Sequence, residues 1–535
     1  MINKKNFYCT SLGILIFIYL AILLIYNIDF IDSGFIISYV QRIKEGQIIY
    51  KDFDYVRPFG SIVFWDIILT PFWNFKSYLG IISRLLVLIE ILIITQNFFK
   101  GFKNVGVKIK NYILSIFICS ILIIHTFNIM PWHTIDGVFF LSFAFLFFTK
   151  EKFILSIAFA SIAATMKQSF YLDFFIIFFI NTICIYYKFR KNEVKLKSLK
   201  IEFFFIVLIL IALLLVTFKY QLEKNIDLFL EQTHVNNSIN SFFKAGFKDY
   251  IFSEYIFRVI LFLAILLFVV IQRMNRKGSI KLYNCIIILA LFILYLLPML
   301  KHLLFGSNIE FEGSKTIYLL LLSFFLKDIR SYIAYDIKKF LALIILFFIT
   351  WSVSISWGYS NVLLMLPILV FAFDDKFRFS EKINNLVVIV VIALFIIYRL
   401  LSPYFSKSIL ETKFIFIKEN IPIYSGMLIS ENNYDYIKEA QALQKKFENS
   451  IFLPGSPIFE VMFNKNLNRS PWEMDVEYPS WKKDYEQLSK KNIYYILDKK
   501  EIINSETGFF KSSFTQMVKH KKTLIDSTNF YYIYN

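Results

Sequence analysis

Cysteine is scarce in this chain, with four among 535 residues. Cys9, Cys119, Cys184 and Cys285 fall within or beside apolar stretches and show no CxxC spacing. That pattern excludes a disulfide framework and a thiolate metal cluster. Residues 406–535 contain no cysteine, so that region needs no covalent staple. There are only five histidines and no HExxH, which excludes a zinc protease of that type. There is no GxxxxGK[ST], nor a GxGxxG leading from a strand into a helix, so no nucleotide-binding loop is read. Internal repeats and long low-complexity linkers are missing too. Most telling, lysine and arginine are nearly absent from every second connection between apolar stretches, two longer loops apart.

What is present is apolar. Hydrophobic residues make up 57% of the chain and aromatics 19%, more than a soluble protein of this length needs to bury. The net charge of +18 would suggest a nucleic-acid partner in a soluble protein. Here most of the charge lies in short loops, where it fixes orientation and meets anionic lipid head groups, so no nucleic acid is expected. A bilayer core about 30 Å thick takes about 20 apolar residues of helix to cross. The composition and pattern predict a polytopic α-helical membrane protein of about thirteen transmembrane helices, with a C-terminal extracytoplasmic α/β domain.

The spans are read at about 10–28, 78–99, 111–127, 135–149, 152–167, 170–187, 200–220, 250–271, 281–300, 314–326, 339–355, 360–373 and 385–403. The first resembles a signal sequence preceded by Lys4 and Lys5, but no small-x-small cleavage pattern follows, so it reads as a retained anchor with its N-terminus inside. The cytoplasmic loops then hold Lys100, Lys103, Lys108 and Lys110; Lys188, Arg190, Lys191, Lys195, Lys197 and Lys200; Arg273, Arg276, Lys277 and Lys281; and Lys327, Arg330, Lys338 and Lys339. Residues 58–75 are apolar, but counting them as a span reverses the charge rule in every later loop. They read as a short helix on, or dipping into, the outer leaflet, with Pro58, Trp65, Pro71 and Trp73 at the interface. The organisation is a transmembrane domain over 1–405, including an outer loop 29–77 with amphipathic juxtamembrane helices, and an outer α/β domain over 406–535. In that tail, GMLIS at 426–430, SIFLP at 450–454, IYYIL at 493–497 and FYYIY at 530–534 predict strands, and 434–447 and 481–490 predict helices.

Charged groups beside membrane spans are costly and invite a functional reading. Asp29 and Asp32 follow the first span directly. After them Phe35, Ile36, Tyr39, Val40 and Ile43 recur at helical spacing, which predicts an amphipathic helix lying flat on the membrane. Asp32 either caps that helix or does chemistry. Asp136 opens a later span from the outer side, again as a cap or a working acid, and His133 one turn earlier gives the option of a divalent metal pair. Lys167 stands in a short outer turn where the charge rule expects none. It is either a snorkelling lysine or an anion ligand. Arg57, Arg84, Lys301 and Arg399 also approach the outer face and suit a phosphate held beside the bilayer. Glu90 falls near mid-membrane with no evident partner.

These residues resemble, in order, the GT-C superfold of integral membrane glycosyltransferases, in the bacterial branch similar to protein O-mannosyltransferases and aminoarabinose transferases. The resemblance runs through Asp32, Gly46, the YKDFDYVRP stretch at 50–58, the apolar helix 58–75, Arg84, Asp136 in TIDG, Lys167, and SWGYSNVLLMLP at 356–367. The chain departs from that pattern in having Ser33 where a second acid is common, and Pro58 alone where two prolines are usual. The resemblance implies transfer of a sugar from a polyprenyl-phosphate-linked donor to a hydroxyl on a glycan, lipid or protein acceptor, at the outer face of the bacterial cytoplasmic membrane. It implies Asp32 as the catalytic base that takes the hydroxyl proton, Asp29, Asp136 and His133 as acceptor- or metal-orienting groups, and Lys167, Arg84 and Arg57 as donor-phosphate ligands. No cofactor beyond a divalent ion is implied. A polysaccharide polymerase would be expected to carry its large outer loop between later spans. A lipid-linked glycan flippase or transporter would show internal pseudo-symmetry and polar residues deep in several spans.

Overall fold

A computed structural model describes residues 4–26, 34–109, 112–124, 129–190, 196–233, 243–252, 314–355, 362–373, 413–418, 421–453, 457–465, 481–499 and 513–535. Helices dominate, and a small sheet region closes the chain. The spans expected at 281–300 and 385–403, nearly all of 250–271, and Lys301 and Arg399 lie outside the described residues.

Three stretches among the described residues are long and apolar enough to cross a membrane: Gly60–Asn104, Phe170–Arg190 and Ile337–Ser354. Shorter apolar helices cover Ile16–Ile25, His133–Thr149, Phe153–Ala164 and Val207–Lys219. We number the helices α1 (Lys4–Ile25), α2 (Phe35–Lys44), α3 (Gly60–Leu69), α4 (Leu79–Asn104), α5 (Tyr112–Ile124), α6 (His133–Thr149), α7 (Phe153–Ala164), α8 (Phe170–Arg190), α9 (Leu196–Lys219), α10 (Ile226–Thr233), α11 (Ser314–Lys327), α12 (Ile337–Ser354) and α13 (Val362–Phe371). Helices α4, α6, α7 and α8 pack in succession, and α12 lies against α6, α8 and α13. Along α8, Phe175, Phe178, Phe179, Ile183, Tyr186 and Phe189 are exposed. A stripe of large apolar side chains on one helix face has no place in water and fits acyl chains.

The two ends of the bundle are built differently. At one end Glu151, in the α6–α7 turn, receives Lys188 from the end of α8 and Lys338 from the start of α12, the latter at 3.0 Å. Asn104 reaches Thr149 at 3.2 Å nearby. Lys103, Lys150, Lys152 and Arg190 cluster in the same turns and helix ends. The other end carries the first loop, the α7–α8 turn, α10 and the C-terminal tail.

The first loop is packed against the rest of the chain. Helix α2 keeps Phe35, Tyr39 and Val40 buried as its periodicity predicts, but Gln41 and Arg42 are buried too. Its polar face is not open to solvent, because a tail helix covers it. Helix α3 runs into a 3-10 segment, Thr70–Tyr78, kinked at Phe75, and then into α4. Asp66 on α3 holds Lys44 at 2.6 Å, Lys219 at 3.1 Å and the Tyr220 hydroxyl, pinning the ends of α2 and α9 together.

The tail contributes strands β1 (Phe414–Phe416), β2 (Leu428–Ser430), β3 (Ser450–Leu453), β4 (Tyr494–Asp498), β5 (Leu524–Ser527) and β6 (Tyr531–Tyr534). It also contributes helices α14 (Glu431–Lys446), α15 (Pro457–Phe463), α16 (Trp481–Ser489) and α17 (Ser513–Lys521). Strands β1 and β2 pair antiparallel. A second sheet has the order β3-β4-β6-β5, with β3 and β4 parallel and the rest antiparallel. Period-two alternation buries both of its faces. Phe452, Ile496, Tyr531 and Ile533 join one apolar core that continues into the helix bundle. Ile451, Leu453, Tyr495 and Leu497 form a second core with α16 and α17.

The tail is also tied to the bundle by backbone bonds. Ile423 N–H donates to the Lys76 carbonyl at 2.9 Å, Ser425 N–H to that of Ser77 at 3.0 Å, and Gly80 N–H to that of Ile423 at 3.2 Å. A Cβ at Gly80 would stand 2.5 Å from that same carbonyl oxygen, so only glycine admits this approach.

Candidate functional site

The loop before α3 sets the geometry. The Tyr50 backbone sits at φ +67°, a left-handed conformation that a bulky residue adopts only when its surroundings hold it. Gln232 on α10 supplies that hold: its side-chain amide donates to the Tyr50 carbonyl at 2.8 Å and accepts from Tyr55 N–H at 2.9 Å. The Tyr50 hydroxyl in turn donates to the Arg57 carbonyl at 2.8 Å.

The α7–α8 turn is stapled onto this loop. Gly60 N–H donates to the Thr165 carbonyl at 2.8 Å, and Gln168 Nε2 to the Val56 carbonyl at 2.8 Å. A Cβ at Gly60 would meet Thr165 Oγ1 at 2.3 Å, so the turn lies flush against the start of α3. These bonds bring Lys167 beside Arg57. Helix α6 arrives from the third side. Trp132 is extended at its N-terminus, and a Cβ at Gly137 would fall 2.0 Å from the Phe170 ring, so the first turns of α6 and α8 are in close contact. His133 thereby comes within electrostatic reach of both Arg57 and Lys167.

Three of the residues singled out in the sequence therefore meet: Arg57, His133 and Lys167. The Lys167 ammonium is 4% exposed and has no hydrogen-bond partner among the described residues. Its nearest aromatic face is Phe170, with Nζ 6.0 Å from the ring centroid. Burial, and then the Arg57 charge, push its pKa from 10.5 down to about 7. Both ring nitrogens of His133, Thr134 Oγ1 and Ser169 Oγ are also buried without a partner among the described residues. Aromatic rings wall the group: His133 lies 4.7 Å from Trp132 and 6.5 Å from Phe35, centroid to centroid. Buried donors and cations left unpaired are costly, and an anion in this pocket would pair them.

Other predicted residues sit elsewhere. Asp136 is fully buried one turn beyond His133, yet it faces α3 instead. One oxygen accepts from Ser61, the other from Trp65 Nε1 at 3.0 Å. Its carboxylate thus locks α3 onto α6 rather than capping its own helix. Glu90 on α4 lies close enough to Asp136 for the two carboxylates to interact. Arg84 is turned toward the end of α1, donating to the carbonyls of Tyr26 at 2.8 Å, Leu23 at 3.3 Å and Leu24 at 3.4 Å. Helix C-termini leave such carbonyls unsatisfied, and a cation there also complements the dipole. Asp29 and Asp32 lie outside the described residues, between Tyr26 and Gly34. A divalent ion at His133 does not fit this pocket, since Arg57 and Lys167 would oppose it. No group of three or more His, Cys, Asp or Glu side chains suited to a metal occurs among the described residues.

Ser61, Gly60 and Gln232 carry no motif that marks them in the sequence. Trp65 is marked there only as an interface residue. Their one sequence signal is chemical: a buried indole or amide needs a partner.

No protein-family model matches the chain, and no curated protein matches it. Among solved structures, the chain is similar to ArnT from Cupriavidus metallidurans bound to undecaprenyl phosphate. The match covers 99% of this chain and 97% of that one, at 10% identity and a TM-score of 0.42. A likeness of that size decides neither the fold nor the activity.

Proposed function

We propose that this chain is a membrane glycosyltransferase that moves a sugar from a polyprenyl-phosphate donor to an acceptor hydroxyl on a glycan, lipid or protein at the extracytoplasmic face. The observation that carries the reading is the buried, unpartnered Lys167 ammonium beside Arg57 and His133. It sits at the bundle end that also bears the first loop and the tail. A phosphate entering there from the lipid exchanges an unpaired buried charge for a charge-assisted pair.

In this reading the acceptor oxygen attacks the anomeric carbon as the bond from that carbon to the phosphate oxygen breaks. The proton leaves the acceptor hydroxyl for Asp32. The polyprenyl phosphate departs with its negative charge facing Lys167 and Arg57, which are fixed in place beforehand by the loop and turn bonds. His133 and Asp29 are assigned to orienting the acceptor. Asp136 acts through α3, and Arg84 through the end of α1, as positioning residues. The lysine-rich end of the bundle faces the cytoplasm, which puts the N-terminus inside and residues 406–535 outside as the outer α/β domain.

The test is Asp32→Asn in a membrane preparation given a labelled polyprenyl-phosphate sugar. Loss of transfer at normal protein level is expected, and full transfer overturns the role. A phosphatase or fluorescent reporter fused at Asn535 decides the orientation, with cytoplasmic signal counting against it.

A further inference from the structure

The tail grips the first loop at both ends of α2. At the start of that helix a Cβ on Gly34 would stand 2.6 Å from the Ile458 backbone nitrogen, so α15 lies directly on this residue. Two turns on, Arg42 forms a bidentate pair with Glu460, Nε to Oε2 at 3.1 Å and Nη2 to Oε1 at 2.7 Å. Gln41 Nε2 adds a bond to the Glu460 carbonyl at 3.3 Å. The pair is enclosed: the Arg42 side chain is 1% exposed and that of Glu460 10%. The end of α1 is held in the same way. Tyr26 bridges to Leu428 of β2, and its ring lies 5.2 Å from Phe414 of β1.

A contact that only docked two surfaces would not need charge here. Apolar residues of similar volume are often as stable as a buried ion pair or more so. What a bidentate pair adds is a single register. The register matters because Phe35, at the start of α2, forms part of the wall around His133 and Trp132, at centroid distances of 6.5 and 5.6 Å.

Resting on the transfer reading above, we propose that the C-terminal tail is a working part of the transfer pocket. Glu460 is its positioning residue, holding α2 in the register that keeps the pocket wall at His133 and Lys167.

The experiment uses the full chain in detergent, with citronellyl phosphate as the probe and Lys167→Gln as reference. Glu460→Gln is expected to weaken probe binding about tenfold and to raise amide exchange over 35–44. The exchanged pair, Arg42→Glu with Glu460→Arg, is expected to restore both. If Glu460→Gln does not fold, Ile458→Ala takes its place with the same expectation. Unchanged probe binding alongside faster α2 exchange overturns the proposal. So does a swap that restores exchange but not binding. If Lys167→Gln itself binds the probe like the parent, the cation pocket is at fault and the transfer reading fails instead.

Discussion

Replacing Lys167 by methionine should stabilise the protein while removing the phosphate binding proposed for it. The ammonium pays for burial with no partner among the described residues, and its pKa falls from 10.5 to about 7. A drop of about 3.5 units at about 1.4 kcal/mol each sets a ceiling of about 5 kcal/mol on the cost of keeping it charged. Local relaxation and water entry reduce this to about 2–3 kcal/mol. The sign with pH follows from the shift. Between about 7 and 10.5 the native lysine has lost its proton while the unfolded one keeps it, so the penalty fades as pH rises through that window. The stability gap between Lys167→Met and the parent should be largest below pH 7 and close towards 10.5. Thermal unfolding in detergent at about pH 6 and about pH 9.5 reads this as a midpoint gain of a few degrees that shrinks in alkali. A variant less stable than the parent at both pH values, or a gap that ignores pH, would refute the argument.

Gly60→Ala forces a Cβ into Thr165, and should cost about 1–3 kcal/mol and weaken citronellyl phosphate binding. An unaltered melting curve with parental binding counts against the stapled turn. Gln232→Ala strips the Tyr50 carbonyl and the Tyr55 N–H of their partner and should cost about 1–3 kcal/mol, measured by denaturation at fixed detergent. Trp65→Phe removes the indole bond to Asp136 and should loosen α3 from α6, read as faster amide exchange over 60–69. Glu90→Gln should be neutral or stabilising, because the acid has a second carboxylate beside it and no basic partner among the described residues; a severe loss of stability would reveal a cation there.

The apolar runs and charge alternation located α4, α6, α7, α8 and α12, because span length and loop charge are local properties of the chain. Strands β2, β3, β4 and β6 were legible for the same reason, from short runs of aliphatic and aromatic residues. Strands β1 and β5 and helices α15 and α17 were not, since they are short and their apolar pattern is set by what they pack on. Lys167 stood out because it broke a rule. That Arg84 would donate to the carbonyls ending α1 was not legible, because they lie some sixty positions away in the chain. Helix α2 was predicted as a helix but not as a covered one, because Glu460 is 418 residues from Arg42 and nothing local marks the pair. Asp136 was seen as a cap or a working acid because its partners, Ser61 and Trp65, looked like ordinary members of an apolar run.

The bridge from Tyr26 to Leu428 has a consequence for biosynthesis. The ribosome finishes the first helix long before it makes the strand that secures its end. Early spans can enter the bilayer as they emerge, but the surface near Tyr26 is incomplete until the chain has been made past Leu428. A nascent chain arrested before residue 428 would thus be inserted yet unfinished, a natural substrate for quality-control proteases.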